Sequence, residues 1–132
     1  IRDLVGDENI YVFGRSSEDV INLYNTNGYH AEEYYNRSSS IHECVDFITS
    51  PELLKLGDEK MLNDLKDNLI HKDWFMTLLD LENYCSVKET AAYDYENRDR
   101  WKRKALVNIA KSGFFSSDRT IRDYNRDIWH LK

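Results

Sequence analysis

The chain has 132 residues, 41% hydrophobic and 13% aromatic, which is enough to build one domain around an apolar core. Its 24 acidic residues outweigh 18 basic ones for a formal net charge of −6, which argues against a general nucleic-acid binder because such proteins need clustered cationic surface. No apolar run approaches the ~20 residues that cross a bilayer, Ile1 opens no signal peptide, and Cys44 and Cys85 lack CxxC spacing, so a cytoplasmic protein with reduced thiols is expected.

In chain order, residues 9–13 (NIYVF) form a β-branched and aromatic run stopped by Gly14, which predicts a strand. A lone strand cannot satisfy its own backbone groups, so its sheet partners are expected in a missing part of a longer polypeptide, or in another copy. Ser16 caps a predicted helix with Glu18 and Asp19 in its first turn and Val20, Ile21, Leu23 and Tyr24 on its apolar side. Gly28 stops it, and strand, turn and helix together read as one βα step. A short helix is predicted near residues 30–36, burying the rings of Tyr34 and Tyr35. A restart at Ser39 or Ser40 carries Ile41, Cys44, Val45 and Ile48 at helical spacing. Ser50-Pro51 ends that helix.

Gly57-Asp58 restarts the chain, with Met61, Leu62, Leu65 and Leu69 along one side. Residues 74–79 (WFMTLL) fit either a buried extended piece or a buried helical turn, the extended form being preferred, and Asp80 reads as the cap of a helix presenting Tyr84, Val87, Lys88, Ala91, Ala92 and Tyr95. Residues 97–99 break it. The next helix carries Trp101, Ala105, Leu106 and Ile109, with Gly113 at a left-handed C-terminal cap. Ser117 restarts the chain into a last helix lined by Ile121, Tyr124 and Ile128. No linker or repeat period marks an internal boundary.

Candidate chemistry is sparse. Glu32, Glu33, Glu82 and Glu89 could supply paired carboxylates for acid–base work on a sugar, but their positions suit solvent faces and helix starts. His30, His42, His71 and His130 have no metal-ligand spacing. The basic residues Arg98, Arg100, Lys102, Arg103 and Lys104 read as a solvated helix face interrupted by Asp99 and Trp101. There is no GxGxxG, Walker-type loop or GxSxG elbow, so Ser116 and Ser117 read as caps. No catalytic, cofactor-binding or metal-binding residue is assigned.

Several blocks carry a resemblance: the 9–14 segment; Gly28-Tyr29 with Ala31 and Tyr34-Tyr35; Ser50-Pro51; Asp73, Asp80 and Tyr84; Trp101; and residues 108–129 with Asn108, Ser112-Gly113, the 115–121 run FSSDRTI, Tyr124 and Ile128-Trp129. In this order and spacing the chain resembles the C-terminal end of the α-glucan phosphorylases, covering nearly its whole length. The resemblance implies a parent with an α/β, Rossmann-like C-terminal domain, of which residues 1–132 form one partial domain, mostly α-helical with one or two short strands.

It also implies pyridoxal-phosphate-dependent phosphorolysis of α-1,4-glucan to glucose 1-phosphate by the parent. No lysine here matches the family's cofactor motif, which lies upstream of Ile1. The chain alone is therefore expected to hold no cofactor, to be inactive and structural, and to self-associate. Its expected partner is the missing N-terminal part of the same polypeptide, with glucan and phosphate as the parent's substrates and neither nucleic acid nor membrane as a partner. The competing reading is a free-standing helical protein-interaction module.

Overall fold

The computed structural model describes residues 1–132 and is all helical, with no strand or sheet. This corrects the expected α/β character and its one or two short strands. In the 9–13 segment Asn9 closes a 3₁₀ turn and Ile10 is extended, at φ −139° and ψ 150°, yet none of the residues enters a ladder. β-Propensity alone does not make a strand without a neighbour whose backbone can pair.

Nine α-helices follow the chain: α1 (Arg2–Val5), α2 (Ser17–Thr26), α3 (Ala31–Arg37), α4 (Ser39–Phe47), α5 (Pro51–Leu54), α6 (Glu59–His71), α7 (Thr77–Glu96), α8 (Arg98–Lys111) and α9 (Ser117–Tyr124). Short 3₁₀ turns cover Asp7–Asn9 and Ser112–Phe115, and a π turn covers Asn125–Trp129. The chain divides into two compact units, one formed by Ile1–Val12 with Glu89–Lys132, the other by Phe13–Lys88.

The Phe13–Lys88 unit holds the main apolar cluster. Ala31 of α3, Ile41 and Val45 of α4, Ile70 of α6 and Leu78 of α7 are buried together, flanked by Tyr29, Tyr34, Tyr35 and Leu81. Helices begin where side-chain oxygens accept otherwise unpartnered N–H groups. Ser16 and Asp19 form a reciprocal capping box on α2. Ser38, Ser50 and Asp58 accept from Ile41, Leu53 and Met61 N–H at the starts of α4, α5 and α6.

Residues 74–79 are not extended. Asp73 and Met76 take positive φ (31° and 54°), reversing the chain so that α7 begins at Thr77. Buried Asp73 accepts the Leu78 N–H through Oδ2 at 2.8 Å and supplies the cap expected of Asp80, which lies inside the first turn of α7. Gly113 also departs from expectation. It sits within the 3₁₀ turn without positive φ, because the chain tightens after Ser112 instead of reversing through a left-handed residue.

The other unit is tied by polar side chains. Asp94, 6% exposed, accepts from Tyr11 Oη at 2.7 Å and faces Arg100 at 3.0 Å and Lys104 at 3.4 Å. Lys104 Nζ also donates to the Glu8 carbonyl at 2.6 Å and lies 4.5 Å from the Tyr11 ring centroid. Asn108 donates to the Asn9 carbonyl at 2.8 Å. Val5 is buried in this unit.

Candidate functional site

Gly14 turns the chain at φ 87°. A Cβ at that position would lie 2.6 Å from Asp80 Oδ2, a side-chain end that can move aside, so it is the backbone conformation that favours glycine. Its N–H donates to Asn83 Oδ1 at 2.8 Å, fixing the residue that precedes Arg15. Arg15 then lines three adjoining cavities of about 480, 290 and 210 Å³, which also share Leu79.

The largest of the three is a groove lined also by the α3–α4 junction and the first turns of α7. The Arg37 guanidinium lies 5.3 Å from the Tyr34 ring centroid, and Tyr34 rests against Tyr29 at 5.3 Å. Ser38 donates to Glu82 Oε1 at 2.5 Å, and the Ser40 hydroxyl approaches the same oxygen at 3.4 Å. The groove thus presents guanidinium donors, hydroxyls that work in either direction, and a carboxylate acceptor.

A half-buried polar contact joins the loop before α3 to the turn before α7. Tyr29 Oη donates to Asp73 Oδ2 at 2.5 Å. Burial, reinforced by the Asp73 carboxylate, pushes the Tyr29 hydroxyl pKa well above its ordinary value, so it acts as a fixed donor. A second polar cluster lies on α3, α4 and α6. The Tyr35 and His42 rings stack at 4.3 Å, and Asp46 accepts from Tyr35 at 2.7 Å and pairs with Lys66 at 2.8 Å. Lys66, then Tyr35, hold the Asp46 carboxyl below its usual range.

Residues weighed from sequence separate clearly in space. Glu32 and Glu33 are exposed in the first turn of α3, and Glu89 is exposed on α7. Glu82 is exposed as well, as its solvent-face reading has it, and it alone of the four lines the groove. His30, His71 and His130 are exposed. No group of three or more His, Cys, Asp or Glu side chains is placed to hold a metal ion. In the basic run, Arg100 and Lys104 close on Asp94, and Arg98 covers the Tyr95 ring at 3.7 Å. Ser116 caps α9 through the Arg119 N–H, and Ser117 is its first residue. Arg15 and the 38–40 serine run carry no recognised motif, so spacing offered no sign that they line one groove with Glu82.

The polar groove and the tyrosine–aspartate contact lie within a segment that carbohydrate phosphorylases share. The carbohydrate phosphorylase family matches residues 1–131, and the chain belongs to that family. It is 56% identical over 131 residues to maltodextrin phosphorylase of Streptococcus pneumoniae, covering 99% of this chain and 17% of the relative. It is 36% identical to glycogen phosphorylase of Bacillus subtilis, covering 100% of this chain and 16% of the relative. The human muscle form of glycogen phosphorylase is 37% identical over 127 residues, covering 96% of this chain and 15% of the relative. The chain therefore spans about a sixth of the length of the curated relatives it matches.

Proposed function

We propose that the chain is the C-terminal part of the C-terminal domain of an α-glucan phosphorylase, and that the longer polypeptide converts α-1,4-glucan and phosphate reversibly to glucose 1-phosphate. The collinear 56% identity to maltodextrin phosphorylase over 99% of the chain carries this reading. The role assigned to residues 1–132 is structural: they brace the rest of the polypeptide, which is their principal partner, in the cytoplasm. No helix is long and apolar enough to cross a membrane.

The parent is read as a pyridoxal-phosphate enzyme, and the residues present here do not fit that group. It needs a lysine amine free to bond its aldehyde, beside donors that cradle its phosphate. Lys104 lines a cavity of about 310 Å³, but its Nζ is engaged by the Glu8 carbonyl, Asp94 and the Tyr11 ring. The groove of Arg15 contains no lysine. No catalytic step is assigned to any residue of this chain.

The expected result is that the 132-residue chain releases no glucose 1-phosphate from maltoheptaose and phosphate, with or without added pyridoxal phosphate. The longer polypeptide carrying this segment does so. Turnover by the 132-residue chain would overturn the structural role, and an inactive longer polypeptide would overturn the enzyme reading.

A further inference from the structure

We propose that the groove between Arg15, Arg37 and Glu82 is an accessory subsite for a neutral α-1,4-linked oligosaccharide, a reading that rests on the parent being a glucan phosphorylase. Its volume of about 480 Å³ falls within the ~300–1,000 Å³ typical of small-ligand sites.

The chemistry of its walls selects the ligand. Two guanidinium groups line the groove together with the Glu82 carboxylate, while Asp80 and Asp19 stand in the adjoining cavities that Arg15 also lines. A phosphate would gain from the arginines but meet Glu82 in the same groove; a cation would meet the reverse. A neutral polyol meets neither penalty, because each hydroxyl both donates and accepts. Vicinal sugar hydroxyls can accept from the planar fork of an arginine and donate to a carboxylate, both charge-assisted bonds.

The protein also leaves these groups available and positions them. Arg37 is held over the Tyr34 ring and, like Arg15, enters none of the ion pairs of the chain. Their N–H groups face solvent, which sugar hydroxyls can replace without losing hydrogen bonds. Ser38 fixes Glu82 through Oε1 alone, so the second oxygen remains to accept. Gly14, locked by Asn83, sets the backbone next to Arg15. Positions fixed in advance reduce the ordering cost of binding.

The test titrates the full 132-residue chain with maltoheptaose, and separately with inorganic phosphate, following amide and arginine side-chain NMR signals. Maltoheptaose is expected to shift signals around Arg15, Ser40 and Glu82, while phosphate leaves them in place. Arg15→Ala and Glu82→Gln are each expected to weaken maltoheptaose binding about tenfold. Lys60→Ala, on an exposed part of α6 outside the groove, serves as the control. Arg15 and Arg37 are both exposed, so Arg37→Ala keeps the test available if Glu82→Gln unfolds. An absent or displaced maltoheptaose response, phosphate binding at Arg15, or variants that bind like the parent chain would each overturn the proposal. Phosphorolysis by the longer polypeptide is measured in parallel. Activity there without sugar binding here removes only the subsite, whereas inactivity there removes the enzyme reading.

Discussion

Two buried aspartates show how the same side chain is stabilised in different ways. Asp73 receives a tyrosine hydroxyl and a backbone N–H and fixes the turn before α7. Asp94 receives the Tyr11 hydroxyl and faces two cations. The Tyr11 bond, with Arg100 and Lys104 adding to it against the effect of burial, holds the Asp94 carboxyl below its ordinary value. A carboxyl depressed in the native state contributes stability that is present above its unfolded pKa, about 3.9. That contribution is lost as pH falls through the lower native value. Asp94→Asn should therefore lower the thermal midpoint at pH 7, and the gap from the parent chain should narrow as pH drops from 5 towards 2. Thermal unfolding across that range checks this, and a gap independent of pH would contradict it.

At the scale of elements, what could be read in the sequence was local chemistry. The Ser16 cap, the break at Ser50-Pro51 and the helix starts at Ser39 and Ser117 appear, although the capping oxygens there are those of Ser38 and Ser116. The expected break over 97–99 shrinks to Asn97, which caps α8. Each depends on atoms three or four residues away. Features set by distant partners were not legible. The 9–13 run has strand propensity but no neighbour in the chain with which to pair. The 74–79 run looked extended until Asp73, positioned by Tyr29 from 44 residues away, turned it into a helix start. Burial also followed tertiary contacts more than periodicity. Ile70 is the buried residue of α6, while Met61 and Leu65 of its predicted apolar side are exposed. The groove is the same case, since Arg15 and Glu82 come to line it only through the fold. The Ser16 capping box gives a direct test of the local part. Ser16→Ala should cost about 1 kcal/mol, read as a lower urea midpoint with an unchanged slope. No change in midpoint would show that α2 is held by other contacts.

At the scale of the whole molecule, the balance of surface and core is unusual for a self-sufficient protein. The accessible surface is 10433 Å², whereas a folded monomer of 15.7 kDa exposes about 7,300 Å². Two separate globular bodies of the sizes of the two units would expose about 8,800 Å², so the excess belongs to the units themselves. Seven hydrophobic residues are buried, while large apolar side chains such as Leu56, Phe75, Met61 and Ile109 are exposed on different helices and turns. Apolar surface of this extent marks interaction surface, and its spread over many elements suits a larger polypeptide better than one self-complementary patch. Without that polypeptide, the same surface should drive association between copies. Sedimentation velocity of the 132-residue chain should show a weight-average mass that rises with concentration, accompanied by binding of a hydrophobic dye. A single monomer at every concentration, with cooperative unfolding and no dye uptake, would instead favour a free-standing helical module.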